Sequence, residues 1–303
     1  MFGSESVFMT GSYLQDTLST SDLGGVFSGF PAHYTIESGQ ITVLSGNPAS
    51  QFIENADTDG MGSTIFGLDV NIDASGSMRS SIRQLIALAH ALVQKIANSP
   101  YADATIVRFN LFNGTGIHSS EYVLASEMNL IVDTLDKLVT DGGESIGTLD
   151  EVAQIEEIIR SGKIPVVGCT PTSFMLMKTR GDARDMAACA RQILGRHFVH
   201  ISATLTDGGE MGSPRFTAED VREDFAEEIQ LGGDLPFKLI ERSHGLLVYV
   251  GRTDVSVCRK YAKAAGFEFA SSLEIDPEGI ADLIANFALT KSAYAAANPP
   301  VAN

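Results

Sequence analysis

The sequence predicts an α/β fold: a doubly wound, mostly parallel central sheet flanked by helices, with a short β-containing extension at the N-terminus. Three observations carry this expectation. Apolar strand-like runs alternate along the chain with stretches whose apolar residues recur at helical spacing. The 303 residues are enough to bury a core without disulfide staples, as one large domain or a domain with an appendage. The composition, 44% hydrophobic against 19% charged, is that of a folding chain rather than a disordered one.

Taken in order, residues 1–61 read as an acidic, Gly/Ser-rich extension, because Glu5, Asp16, Asp22, Glu37, Glu54, Asp57 and Asp59 all precede Arg79, the first basic side chain. Within it, Tyr34, Ile36, Ile41 and Val43 alternate around Ser38-Gly39, which suggests a short hairpin. An α/β domain is expected over 62–292. Its first strand is 65–73, followed by a helix whose apolar face is Ile82, Leu85, Ile86, Ala89, Leu92, Val93 and Ile96. A strand over 104–112, helices near 148–160 and 186–194 and a strand over 197–207 come next. The region 217–243 reads as helical, 246–251 as a strand and 254–266 as a helix ending on Gly266. A strand over 267–270 precedes a last helix with Pro277 in its first turn. The stretch 293–303, ending in Pro-Pro-Val-Ala-Asn, reads as a tail.

Strands buried on both faces should be nearly continuous apolar runs, and these are not. Asp69 and Asn71, Arg108 and Asn110, and His200, Ser202 and Thr204 alternate with apolar residues, so each polar set occupies one face of its strand. A paired internal network, Asp69 with Arg108, is the expectation, because buried charges persist only when paired. The competing reading covers part of this face with the N-terminal extension or another subunit.

The formal net charge of −17 repels phosphate backbones and anionic headgroups, so neither nucleic acid nor a membrane is an expected partner. No run approaches the roughly 18 apolar residues of a spanning helix. Without a basic n-region at the N-terminus, the expected location is the cytoplasm. Cys169, Cys189 and Cys258 form no CxxC pair and read as buried thiols of a reducing compartment.

In doubly wound sheets, ligands bind beyond the carboxyl ends of the strands, and three loops there are unusual. The first strand ends in Asp73-Ala74-Ser75-Gly76-Ser77, another in Thr206-Asp207-Gly208-Gly209, and Gly168-Cys169-Thr170-Pro171 offers a further hydroxyl. Two carboxylates among neutral oxygens suit Mg²⁺ (or Mn²⁺), a hard cation that takes oxygen ligands and commonly retains waters. Asn55 to Gly60 imitates the first half of a calcium loop, but Phe66 stands where the bidentate Glu is required. It reads as a linker. The six histidines show no ligand spacing, and GxSxG, Walker and HExxH motifs do not occur.

Asp73-x-Ser75-x-Ser77, then Thr170, then Thr206-Asp207-Gly208 resembles the metal-ion-dependent adhesion site (MIDAS) of the von Willebrand factor type A (vWA) family, whose Rossmann-like fold the order of elements also suits. The resemblance covers roughly residues 62–290. It implies that Ser75, Ser77 and Thr170 supply hydroxyl oxygens, that Asp73 and Asp207 act directly or through water, and that a protein partner's Asp or Glu carboxylate fills the remaining position. A binding module, a scaffold or adaptor in a protein complex rather than an enzyme, is the function implied, with homo- or hetero-oligomerisation left open. The alternatives are a structural subunit of a large assembly such as a phage or secretion particle, which would relocate the chain to that particle, and a metal-assisted hydrolase using Asp73. Cys169 departs from the family pattern, where a second glycine is common, and so does the 129–168 insertion.

Overall fold

Strand formation follows the β-branched and aromatic runs, and the helices follow the 3.6-residue apolar stripes. The computed structural model describes residues 34–37, 40–43, 64–120, 122–125, 164, 166–194, 196–208, 216–227, 229–231, 237–240, 243–251, 255–272 and 275–297. The expected helix at 148–160 and the 55–60 loop lie outside them. β1 (Tyr34–Glu37) and β2 (Gln40–Val43) pair antiparallel as the expected hairpin. The main sheet contains β3 (Thr64–Asp73), β4 (Thr105–Asn113), β5 (Gly116–Ser119), β6 (Val123–Leu124), β7 (His197–Thr206), β10 (His244–Val250) and β11 (Glu268–Ser272). Its order is β11-β10-β7-β3-β4-β5, with β6 also pairing β4. The pairs β10/β11, β7/β10, β3/β7 and β3/β4 are parallel, and β5 and β6 run antiparallel to β4.

Helices cover both faces. On one, α1 (Ile82–Ala97) and α5 (Pro277–Ala297) pack Leu85, Leu92, Ile280 and Ile284 against Leu68, Val70, Ile72, Phe109, Leu111 and Leu205. On the other lie α2 (Thr172–Leu194), α3 (Ala218–Ala226) and α4 (Val255–Ala265), with Met175, Leu176, Val221, Phe225 and Tyr261 against Phe112, Leu247 and Tyr249. Among the described residues no helix is long and apolar enough to cross a membrane.

Three expectations are corrected. The 217–243 region is helical only over α3, opened by a capping box between Thr217 and Asp220, after which β8 (Ile229–Leu231) and β9 (Phe237–Ile240) form an antiparallel pair. Gly232, Gly233 and Pro236 lie between them, residues that stop a helix and serve a turn. The helix expected at 186–194 starts at Thr172, directly after Pro171. The last helix continues to Ala297, into the stretch read as tail, because Ala-rich sequence is the strongest helix former whatever its amphipathicity. Of the 129–168 insertion, the described Ile164 and Val166 are buried in the core with α1 and α5.

The polar stripes coincide because the register sets Asp69 beside Arg108 and Ser202, and Asn71 beside Asn110 and Thr204. Arg108 donates to Asp69 at 2.7 Å through Nε, to Asp182 at 2.8 Å and to the Thr179 carbonyl at 3.4 Å. Thr179 and Asp182 belong to α2, so the chain's own helix covers this charge pair, and the reading that needs another subunit or the extension here is overturned. Asp69 also accepts from Asn110 at 3.1 Å and Tyr122 at 2.8 Å. Asn71 is held by Asn110, Ser202 and Thr204. Arg108, the largest of the opposing causes after burial, keeps the Asp69 carboxyl well below the usual carboxylate range despite complete burial.

Candidate metal centre

The neighbouring parallel strands β3 and β7 end side by side, Ile72 pairing with Leu205, so their next residues, Asp73 and Thr206, meet at the carboxyl edge of the sheet. Asp73 Oδ2 accepts from the Thr206 hydroxyl at 2.6 Å, and Oδ1 accepts from the Ser75 amide at 2.8 Å. That amide bond closes a local Asx turn and redirects the chain into a 3-10 turn over Gly76–Ser80, which returns Ser77 above the strand ends. The Ser75 and Ser77 hydroxyls lie 3.1 Å apart, and Ser77 donates to Asp207 Oδ1 at 2.8 Å. Asp73 and Ser75 are buried, Asp207 is half-buried and Ser77 is exposed, so the cluster opens to solvent on the Ser77 side.

The Thr170 loop is anchored from three directions. Gly76 donates to the Gly168 carbonyl at 3.1 Å, Val167 to the Ala74 carbonyl at 3.1 Å and Gly114 to the Val167 carbonyl at 3.4 Å. Gly168 has φ +76°, and a Cβ there would lie 2.9 Å from Gly114 Cα, so both its conformation and its surroundings require glycine. Thr170 is buried, and its hydroxyl lies 3.7 Å from where a Cβ on Gly208 would sit. The structure therefore brings Asp73, Ser75, Ser77 and Asp207 into one hydrogen-bonded cluster and sets Thr170 against the Gly208 turn beside it.

Burial dominates the electrostatics. It pushes the Asp73 carboxyl up to about 6, against the bonds from Thr206 and Ser75, with the Asp207 charge adding to the rise. Burial also raises Asp207, opposed by the Ser77 bond. The Cys258 thiol, which donates to the Gly208 carbonyl at 2.7 Å, is pushed up to about 12 by burial and then by the charges of Asp207 and Asp73. Among the described residues, the groups that act most on Asp73 are hydroxyls, an amide and a carboxylate, and none is a cation.

The donor set fits a small hard cation. Oxygens bound at 2.0–2.1 Å and at right angles are separated by about 3 Å, and the Ser75–Ser77 and Ser77–Asp207 contacts, 3.1 and 2.8 Å, have that spacing. Among the described residues no group of three His, Cys, Asp or Glu could hold a metal; this cluster has two carboxylates and draws its other oxygens from hydroxyls. Thr206, in sequence only one residue of the Thr-Asp-Gly motif, positions Asp73. Its signal is its place as the last residue of a strand adjacent to β3. Cys258 is buried as expected, whereas Cys169 is only half-buried.

No family model matches the sequence, and no curated protein is significantly similar to it. Among solved structures, the chain is similar to proximal thread matrix protein 1 of the mussel byssus, at 14% identity over 75% of this chain and 46% of that one, with TM-score 0.42. It spans less than half of the mussel protein. It is also similar to the SpRpn10 VWA domain, at 10% identity over 73% of this chain and 94% of that one, with TM-score 0.40. The vWF domain of the type V pili tip protein Mfa5 from Porphyromonas gingivalis is similar at 11% identity over 77% and 96% of the two chains, with TM-score 0.41. VWA domains are thus among its structural neighbours.

Proposed function

We propose that this chain is a divalent-cation-dependent protein-binding module: Asp73, Ser75, Ser77, Thr170 and Asp207 hold Mg²⁺ or Mn²⁺, and a protein partner's Asp or Glu carboxylate completes the coordination. The observation that carries it is the cluster of hydroxyl oxygens between two carboxylates, at octahedral-edge spacing, beside the buried Asp73. A cation held by few charged ligands remains a strong Lewis acid and gains most from an incoming carboxylate. That suits binding better than turnover. The open Ser77 side is where the partner would approach.

Melting temperature in Mg²⁺, Mn²⁺ or EDTA tests the reading, because a ligand bound only by the native state stabilises it by mass action. At a hundredfold excess over Kd the gain is about 2.7 kcal/mol, several degrees for a domain of this size. Asp73→Ala and Ser75→Ala should abolish the shift while remaining folded in EDTA. An unchanged wild-type melting temperature at saturating metal overturns the reading and leaves the fold to an architectural role.

A further inference from the structure

We propose that the cleft at the N-terminal ends of β10 and β11, remote from the metal loops, binds a small apolar acid that also carries a hydrogen-bond donor, a ligand of the hydroxyaryl carboxylate type. The cleft has a volume of about 250 Å³, below the roughly 300–1,000 Å³ of sites for drug-sized ligands, and so suits a single ring. Its walls are aromatic. Phe225 and Phe267 meet as tilted rings with centroids 4.9 Å apart, and Phe287 lines the same cleft. The Phe267 ring is pinned over Gly245, where a Cβ would come within 2.4 Å of it, so the wall exists before any ligand arrives.

Ser243 lines this cleft, and the buried network sets the role of its hydroxyl. Asp69, ionised and bonded by Arg108, can only accept, so the proton in its 2.8 Å contact with His200 Nε2 belongs to the imidazole. Burial, the largest influence on His200, favours the neutral ring, which leaves Nδ1 as an acceptor. The Ser243 hydroxyl, 2.7 Å from Nδ1, therefore donates inward and retains lone pairs for a ligand's donor. Because Arg108 already shares the Asp69 charge, this Ser–His–Asp series has little capacity to stabilise an imidazolium. It positions an acceptor rather than activating a nucleophile.

The acid preference comes from Arg222. Lys291 is taken by Glu268 at 2.5 Å and lies 5.1 Å over the Phe287 ring, whereas Arg222 lines the cleft exposed and makes no ion pair with a described residue. In a chain of net charge −17 the overall field opposes anions, so a contacting guanidinium is what can hold one.

Calorimetric titration of the full chain with 4-hydroxyphenylacetate, phenylacetate and 4-hydroxyphenethyl alcohol separates these contributions. The hydroxy acid should bind tightest, and loss of either polar group should weaken binding about tenfold, as expected for one net hydrogen bond. Arg222→Ala, at an exposed position, should remove the advantage of the acid over the alcohol. Ser243→Ala should remove that of the hydroxy acid over the plain acid. Asp73→Ala should change neither. Failure of all three probes to bind at millimolar concentration, or equal affinities that Arg222→Ala leaves unchanged, overturns the proposal.

Discussion

Two aspartates on one face of β3, four residues apart and both fully buried, are pushed in opposite directions. Asp69 faces Arg108 and stays ionised, while Asp73 meets hydroxyls, an amide and a second carboxylate and rises to about 6. The neighbour, rather than the depth of burial, decides the sign. His118 shows burial acting alone: its pKa falls to about 4 from 6.5 through desolvation. A base whose folded pKa is depressed binds its proton more weakly than the unfolded chain does. Its contribution to stability is therefore intact above about 6.5 and lost as pH falls toward 4, by about 3 kcal/mol over the window. Urea unfolding of wild type and His118→Leu across that range should give a stability difference that moves with pH by this amount. A constant difference would show that His118 does not titrate there.

At the scale of elements, the polar face of β3, β4 and β7 depends on register, since a slip of one residue would send Asp69, Arg108 and Asn71 to the apolar α1/α5 side. In its actual register the face is a bonded layer under α2, and its energetics are those of a buried pair: modest in net worth, costly to break. Arg108→Met should destabilise the fold by about 3–5 kcal/mol by leaving Asp69 buried without its main counter-charge. Adding Asp69→Asn to that variant should recover part of the loss. Denaturant midpoints of the two single variants and the double variant supply the cycle, and strict additivity would argue against coupling.

Charge governs the molecule as a whole. A formal net charge of −17 disfavours the compact state through self-repulsion, and this repulsion reaches about 30 Å at 0.01 M salt but about 10 Å at 0.1 M. In EDTA, raising monovalent salt across that range should raise the melting temperature. A fall would mean that surface pairs, such as Lys95 with Glu278 and Asp282 across α1 and α5, outweigh the repulsion.

By itself the sequence determined the alternation of strands and helices, the hairpin around Ser38-Gly39 and the polar stripes, because period and turn chemistry are local properties. It also marked Asp73, Ser75, Ser77, Thr170 and Asp207, each of which stands in a short recognisable loop. Propensity misled where local signals compete: the region after α3 is apolar enough for a helix, but Gly232, Gly233 and Pro236 favour a hairpin. Only the tertiary structure decided that β3 lies between β4 and β7, and that order does the rest. It sets Thr206 on Asp73 and closes Asp69 with Arg108 beneath α2, while the β7/β10 pairing links His200 to Ser243 in a cleft no motif announces. These contacts join residues 39 to 133 positions apart, and such proximity comes from strand order and packing, which no local window of sequence contains.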